Sequence, residues 1–235
     1  MGVKTDLKLY NLRISDLSKD FFARIDYDYF RNMELFREST KSIKFKKLKE
    51  IITFIETGKP IEQKDYADSE TGYIHLAPRD IKGNEIEIRE PIYLTGEKGE
   101  ELSEYKLNQG NILLVISSNV GDTVIFNLNN NIQYTISHYI IRLEINKEEY
   151  SPSFLVNYLN HPITKLFFRA TETGKTQQNL SKAYIFNLPI PDISKDKQEE
   201  IMKELNPKIK RKKELKNEII KLDEDSNSIL WKNLK

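Results

Sequence analysis

Cysteine is absent from these 235 residues, which excludes disulfides, thiolate nucleophiles and Cys-ligated zinc and suits a reducing compartment. Net charge is nearly absent too, at +1, so the chain as a whole has no strong attraction for a polyanion. No apolar run approaches the roughly 20 residues that span a bilayer. Met1 to Tyr10 is mixed and polar, without the apolar region of a secretory signal. These absences predict a soluble, intracellular protein with no membrane contact. Three scattered histidines make no metal site. What is present is a 38% hydrophobic content with 10% aromatics, enough for a buried core, and 31% charged residues, above the usual quarter. A globular body with exposed helical extensions would give that mixture.

The pattern along the chain predicts an α+β protein: a β-rich domain with packed helices, followed by a long C-terminal helix forming a coiled coil. Residues 1–40 form a helical segment in which Ser18 caps a helix and Phe21, Phe22, Ile25 and Tyr29 follow helical period. Residues 41–193 form the main domain. Up to about 150 its apolar residues come in short runs, Phe45–Ile55, Gly72–Leu76, Ile86–Ile88, Ile112–Ser117, Thr123–Phe126 and Tyr139–Leu143, separated by Gly, Pro and Asn turn signals. Ile112 to Ile116 reads as a central strand, apolar on both faces. Residues 153–169 return to helical period behind Ser151-Pro152, and Pro162 divides or kinks the stretch. A short strand ends at Leu188-Pro189-Ile190-Pro191. Residues 194–235 read as helix capped by Ser194, with Pro207 either kinking it or starting a second helix. Leu215, Ile219, Leu222 and Ile229 then keep heptad spacing and form a candidate dimerisation seam.

Several motifs fall in one order and spacing. Leu107 with Gly110-Asn111-Ile112-Leu113-Leu114 precedes the glycine turn Gly121-Asp122. Ser137-His138 with Ile140-Ile141-Arg142 follows, then the helix Ser153–His161. Gly174-Lys175-Thr176-Gln177-Gln178-Asn179-Leu180, Leu188-Pro189-Ile190-Pro191, Gln198 and Ile201 close the series, and Arg24–Phe30 precedes it. In this order they resemble the specificity-subunit family of Type I restriction–modification systems. Asn111 departs from that family's aspartate. The chain has room for one recognition domain and one helix, where a full subunit has two of each. It is therefore identified with a half-subunit, a fragment, or the recognition end of a fused methyltransferase–nuclease.

The resemblance implies that the domain reads half of a bipartite double-stranded DNA site and that helices pair to set the distance between halves. Catalysis would belong to a methyltransferase subunit, which would hold S-adenosylmethionine, and to a restriction subunit. This chain would be non-catalytic and cofactor-free, and would form a homodimer or pair with a second half through its C-terminal helix.

Candidate DNA contacts follow from side-chain chemistry. In the loop Lys175, Thr176, Gln177, Gln178 and Asn179, lysine can neutralise a phosphate and the amides offer a donor and an acceptor together, as adenine requires. The bland reading is a polar loop whose amides hold the fold. The segment with Tyr73, His75, Arg79, Lys82 and Asn84 carries guanine- and adenine-reading types beside turn residues, or is an ordinary hairpin. Ser117-Ser118-Asn119 reads as a turn. Lys41, Lys44, Lys46, Lys47 and Lys49 form one basic cluster. Lys203 and the run around Lys210 and Arg211 form a second, with six cations against one acid between Lys208 and Lys216. No methyltransferase, Walker or glycine-rich cofactor motif appears. Glu62-Gln63-Lys64 has the acid–x–Lys form of nuclease sites but lacks an upstream aspartate on a neighbouring strand to complete it. The competing class is a protein-interaction adaptor without DNA specificity, which the near-zero net charge favours.

Overall fold

The computed structural model describes residues 27–128, 131–171 and 180–233. A four-stranded antiparallel sheet organises the body. Its strands are β2 (Ile52–Thr57), β6 (Ile112–Val115), β7 (Thr123–Ile125) and β9 (Ile140–Ile145), in the order β2-β9-β6-β7. The all-apolar β6 is explained by its place: it is flanked on both edges and covered on both faces. Alternation along it then sorts the side chains into two cores. Ile112 and Leu114 enter one core with Ile141, Leu143 and Ile145 of β9. Leu113 and Val115 enter the other with Ile140.

Helices cover the first face. They are α1 (Tyr27–Thr40), α3 (Pro152–Leu159), α4 (Pro162–Thr171) and the short α5 (Lys182–Phe186). Of the aromatic period read in the N-terminal segment, Tyr29 is buried in this core, while Phe21, Phe22 and Ile25 lie outside the described residues. On the same helix Phe36 meets Phe167 edge-on at 5.8 Å and lies tilted against Phe45 at 5.9 Å. The expected cap at Ser18 lies outside the described residues. Ser151 caps α3 by accepting the Phe154 N–H, and Pro162 starts α4 as a separate helix, as its missing N–H favours.

Strands and a hairpin cover the second face. β3 (Tyr73–Leu76) pairs in parallel with β8 (Gln133–Ile136). β4 (Ile81–Lys82) and β5 (Glu85–Ile86) form a hairpin closed by Gly83-Asn84, with Gly83 at φ +58 in the first loop position, where a β-carbon is disfavoured. The helix α2 (Gly96–Glu101) leads into β6 by way of Asn111. Asn111 uses both ends of its amide: Oδ1 accepts the Asn108 N–H at 2.7 Å, and Nδ2 donates to Glu144 at 3.0 Å. An aspartate here would set two carboxylates against each other, which accounts for the departure from the resembled pattern.

β1 (Phe45–Lys47) pairs with β10 (Pro189–Pro191), and β10 delivers the chain to α6 (Lys195–Asn233). Ser194 caps α6 through the Lys197 N–H. Fully buried Gln198 ties its first turns down: Oε1 accepts the Ser151 N–H at 2.8 Å, and Nε2 donates to the carbonyls of Ile193 and Glu149. Pro207 neither ends nor restarts the helix; it lies inside one continuous α6. Proline deprives the Lys203 carbonyl of its partner, and Lys203 is exposed, so water can satisfy that carbonyl. No helix of the described residues is long and apolar enough to cross a membrane.

Candidate nucleic-acid interface

Among the described residues, two elements bring cations and amides around one cleft, the β4–β5 hairpin and the middle of α6. On the hairpin, Arg79, Lys82, Asn84 and Arg89 are exposed. Glu85 and Glu87 stand two residues apart, the spacing that puts side chains on one face of a strand. Both bind Lys216 of α6. Glu87 also faces Lys82 at 3.6 Å and Arg89 at 3.5 Å, so one carboxylate lies among three cations. The hydrogen bond from Lys216, foremost, holds the Glu87 carboxyl below the usual carboxylate range, and the paired carboxylates raise the Lys216 ammonium.

Hairpin and helix do not close on each other. Between them is a cleft of about 790 Å³ with Asn84, Glu87 and Arg89 on one wall, Lys213, Lys216 and Asn217 on the other, and Val124, Ile125 and Leu128 among its lining. Its polar groups are cations, carboxylates and amides, which suits contact with phosphates and base edges. Among the described residues, no cluster of His, Asp or Glu is arranged to hold a metal ion. Glu62-Gln63-Lys64 runs into a single 3₁₀ turn. Glu62 and Lys64 pair with each other at 3.1 Å, and Asp65 accepts the Glu62 N–H at 2.7 Å.

The residues read from the sequence as DNA contacts separate into groups. Lys175, Thr176, Gln177, Gln178 and Asn179 lie outside the described residues; just after them, Leu180 donates its N–H to the Ile116 carbonyl. Arg79, Lys82 and Asn84 share the hairpin surface, and Arg79 spends one N–H on the Glu90 carbonyl at 3.2 Å. Lys210 and Arg211 are exposed on α6, Arg211 pairing with Glu214 at 3.3 Å. Tyr73 is half-buried against α2, its hydroxyl donating to Glu100. The Lys41–Lys49 cluster belongs to β1 and its flanks, with Lys46 held between Asp192 and the Tyr150 ring. Leu215, Ile219, Leu222 and Ile229 are all exposed on α6, at 42 to 62%.

His75 needs correction. It is 1% exposed, with Nδ1 2.9 Å from the Thr135 hydroxyl, and cannot reach a groove. The parallel pairing of β3 with β8 buries it, and nothing in the local sequence announces that pairing. Burial, with His138 and Lys98 nearby, pushes its pKa down from 6.5 to about 4. The fold therefore holds His75 neutral, and the stability it contributes is complete above pH 6.5 and lost as the pH falls toward 4. A loss of about 3 kcal/mol between pH 7 and pH 4 is expected from this group. Urea titrations of the wild type and His75→Gln at both pH values measure it. Equal losses in the two proteins would contradict the assignment.

Sequence reasoning passed over Arg89, Glu85 and Glu87. The only signal was the spacing Glu85, Glu87, Arg89 beside a two-residue turn, a pattern common on any exposed strand.

No family model matches the chain, and no curated protein is significantly similar to it. Solved structures with the same fold are nonetheless found. The S subunit of a Type I restriction-modification system from M. genitalium superposes with a TM-score of 0.51 at 14% identity, over 72% of this chain and 40% of that one. The HsdS subunit from Thermoanaerobacter tengcongensis gives 0.52 at 14%, over 78% and 44%. The type IIG restriction endonuclease BpuSI gives 0.51 at 13%, over 77% of this chain and 28% of that one. The chain thus spans less than half the length of each of these three proteins.

Proposed function

We propose, taking as premise the fold shared with Type I S subunits, that this chain is a sequence-specific DNA-recognition module of a restriction–modification system. In this reading the module contacts one half of a bipartite site through the β4–β5 hairpin and the adjoining stretch of α6. The helix carries it into an assembly with a methyltransferase subunit, which holds S-adenosylmethionine, and with a restriction subunit. The chain itself recognises and does not catalyse. The BpuSI likeness supports the same role in a single polypeptide, with this domain as the recognition end of a longer enzyme. The observation that carries the reading is the hairpin–helix surface. Its cations and amides come from two elements that meet around one cleft, on a fold shared with specificity subunits.

The exposed seam of Leu215, Ile219, Leu222 and Ile229 supports pairing, either with a second copy or with another half. A symmetric pair would read a palindromic split site. Sedimentation of the chain with and without residues 206–235 tests this, and a monomer in both cases would count against it.

The decisive experiment selects duplexes from a randomised library and measures affinity for the winner across salt. Each phosphate contact steepens the log–log salt dependence by about 0.9. Lys82→Ala and the double variant Lys210→Ala/Arg211→Ala are expected to flatten the slope by about one and two such contacts. Asn84→Ala is expected to cost about 1–3 kcal/mol on the selected sequence and little on random duplex. Equal binding to unrelated duplexes at physiological salt would instead favour an interaction adaptor, the reading supported by the near-zero net charge.

A further inference from the structure

We infer that Lys216, with Glu85 and Glu87, is an ionic strap that sets the direction of α6 relative to the recognition hairpin. This rests on the proposed DNA-binding role for its meaning, though not for its existence. Up to Ile209 the helix is packed: Gln198 and Met202 are buried, and Ile201, Leu205 and Ile209 lie against the helix-side core. From Lys210 onward every described side chain is exposed. At 1.5 Å per residue, Lys210 to Asn233 forms a lever about 36 Å long. Among the described residues, the ion pairs that return from this lever to the body are those of Lys216, less than two turns beyond the last packed residue.

The geometry is that of a strap rather than a packed interface. The open cleft lies between helix and hairpin, so side-chain packing does not fix the angle there. Two carboxylates hold one ammonium, and Glu87 is steadied from its other side by Lys82 and Arg89. Lys216 is 45% exposed and the carboxylates 30% and 23%, so the strap is open to screening by salt. A small angle has a large consequence at the end of a lever. A swing of about 10° moves the far end by roughly 6 Å, nearly two base-pair steps of 3.4 Å. Lys216 is therefore a positioning residue for the spacing between half-sites. Lys82 and Arg89 share its carboxylate, which couples the direction of the lever to the surface that meets DNA.

The lack of cysteine makes the test clean. Spin labels on Ser69→Cys and Ser226→Cys report the body-to-lever distance in the full chain without DNA. At low salt the wild type is expected to give one narrow distribution. Lys216→Met is expected to broaden and shift it by roughly 4 Å at the Ser226 label, which lies about two-thirds of the way along the lever, as high salt does to the wild type. Lys216→Arg, which keeps the charge, is expected to restore it. Because Lys216 is exposed, circular dichroism melts of all three should coincide. Superimposable distributions for wild type and Lys216→Met would overturn the strap. The spacing role is read separately, by selection from a duplex library in which the separation of half-sites varies. Wild type and Lys216→Arg should favour one spacer and Lys216→Met should accept its neighbours; identical profiles would overturn that role. A wild type that selects no sequence would sink the DNA reading and leave the distance result standing.

Discussion

Gly58→Ala is expected to destabilise the chain by about 3 kcal/mol or more, enough to leave little folded protein in a domain of ordinary stability. A β-carbon on Gly58 would stand 2.1 Å from the Ile136 carbonyl oxygen and 2.3 Å from that of Ser137. Neither oxygen belongs to a flexible side chain that could swing away. The Ile136 carbonyl is bound by the Lys59 N–H at 3.0 Å, and Gly58 itself donates to the Ile140 carbonyl at 3.0 Å. Relief would require pulling the end of β8 and the start of β9 off the chain that follows β2, and with them both cores. Gly96→Ala is the matched control: it opens α2, and nothing lies within 4 Å of its added methyl. That variant should be neutral or slightly stabilised, since alanine loses less backbone entropy. Urea midpoints for the two variants check the contrast, and equal midpoints would refute the close approach at Gly58.

Breaking the Glu56–Arg142 pair is expected to have the next largest effect. The two residues face each other across β2 and β9, with Arg142 Nη2 2.6 Å from Glu56. Arg142 is 8% exposed; its other arm donates to the Lys106 carbonyl at 2.8 Å, and its guanidinium lies 4.9 Å from the centre of the Phe54 ring. Glu56→Leu would leave that cation buried beside one neutral carbonyl. A cost of about 3 kcal/mol is expected, at the lower end for a buried pair because Glu56 itself is partly open to water. Arg142→Met should cost less, since the remaining carboxylate can hydrate. The double variant should be more stable than the sum of the singles implies, as two well-packed apolar residues replace a desolvated pair. Strict additivity in a double-mutant cycle would show that the two charges do not act as a pair.

Both predictions lie at points where sequence and structure part. Apolar periodicity identified β6 as a central strand because burial on two faces requires an unbroken apolar run, and the alternating cores follow from that. Ser151, Pro162 and Ser194 marked helix starts correctly, because caps and proline act through bonds within one turn. The α+β class was legible for the same local reason. The short elements α2, α5 and β8 were not, being too brief to carry a period. The outcome at Pro207 was not legible either, since a solvated carbonyl costs little and the local sequence does not say whether solvent reaches it.

The candidate interface divides in the same way. Arg79, Lys82, Asn84, Lys210 and Arg211 could be named from residue chemistry alone, but that the hairpin meets the helix at all depends on Lys216 binding Glu87, 129 residues away. The burial of His75 depends on a parallel partner strand 60 residues on. The sequence by itself therefore determined which segments are apolar, where helices begin, and which side chains are capable of contacting DNA, because each of these is set by neighbours along the chain. Only the tertiary structure decided which of those side chains face the solvent together, which are turned inward, and how the long helix is tied to the body. Burial and ion pairing act through space, between residues whose separation along the chain carries no trace of the contact.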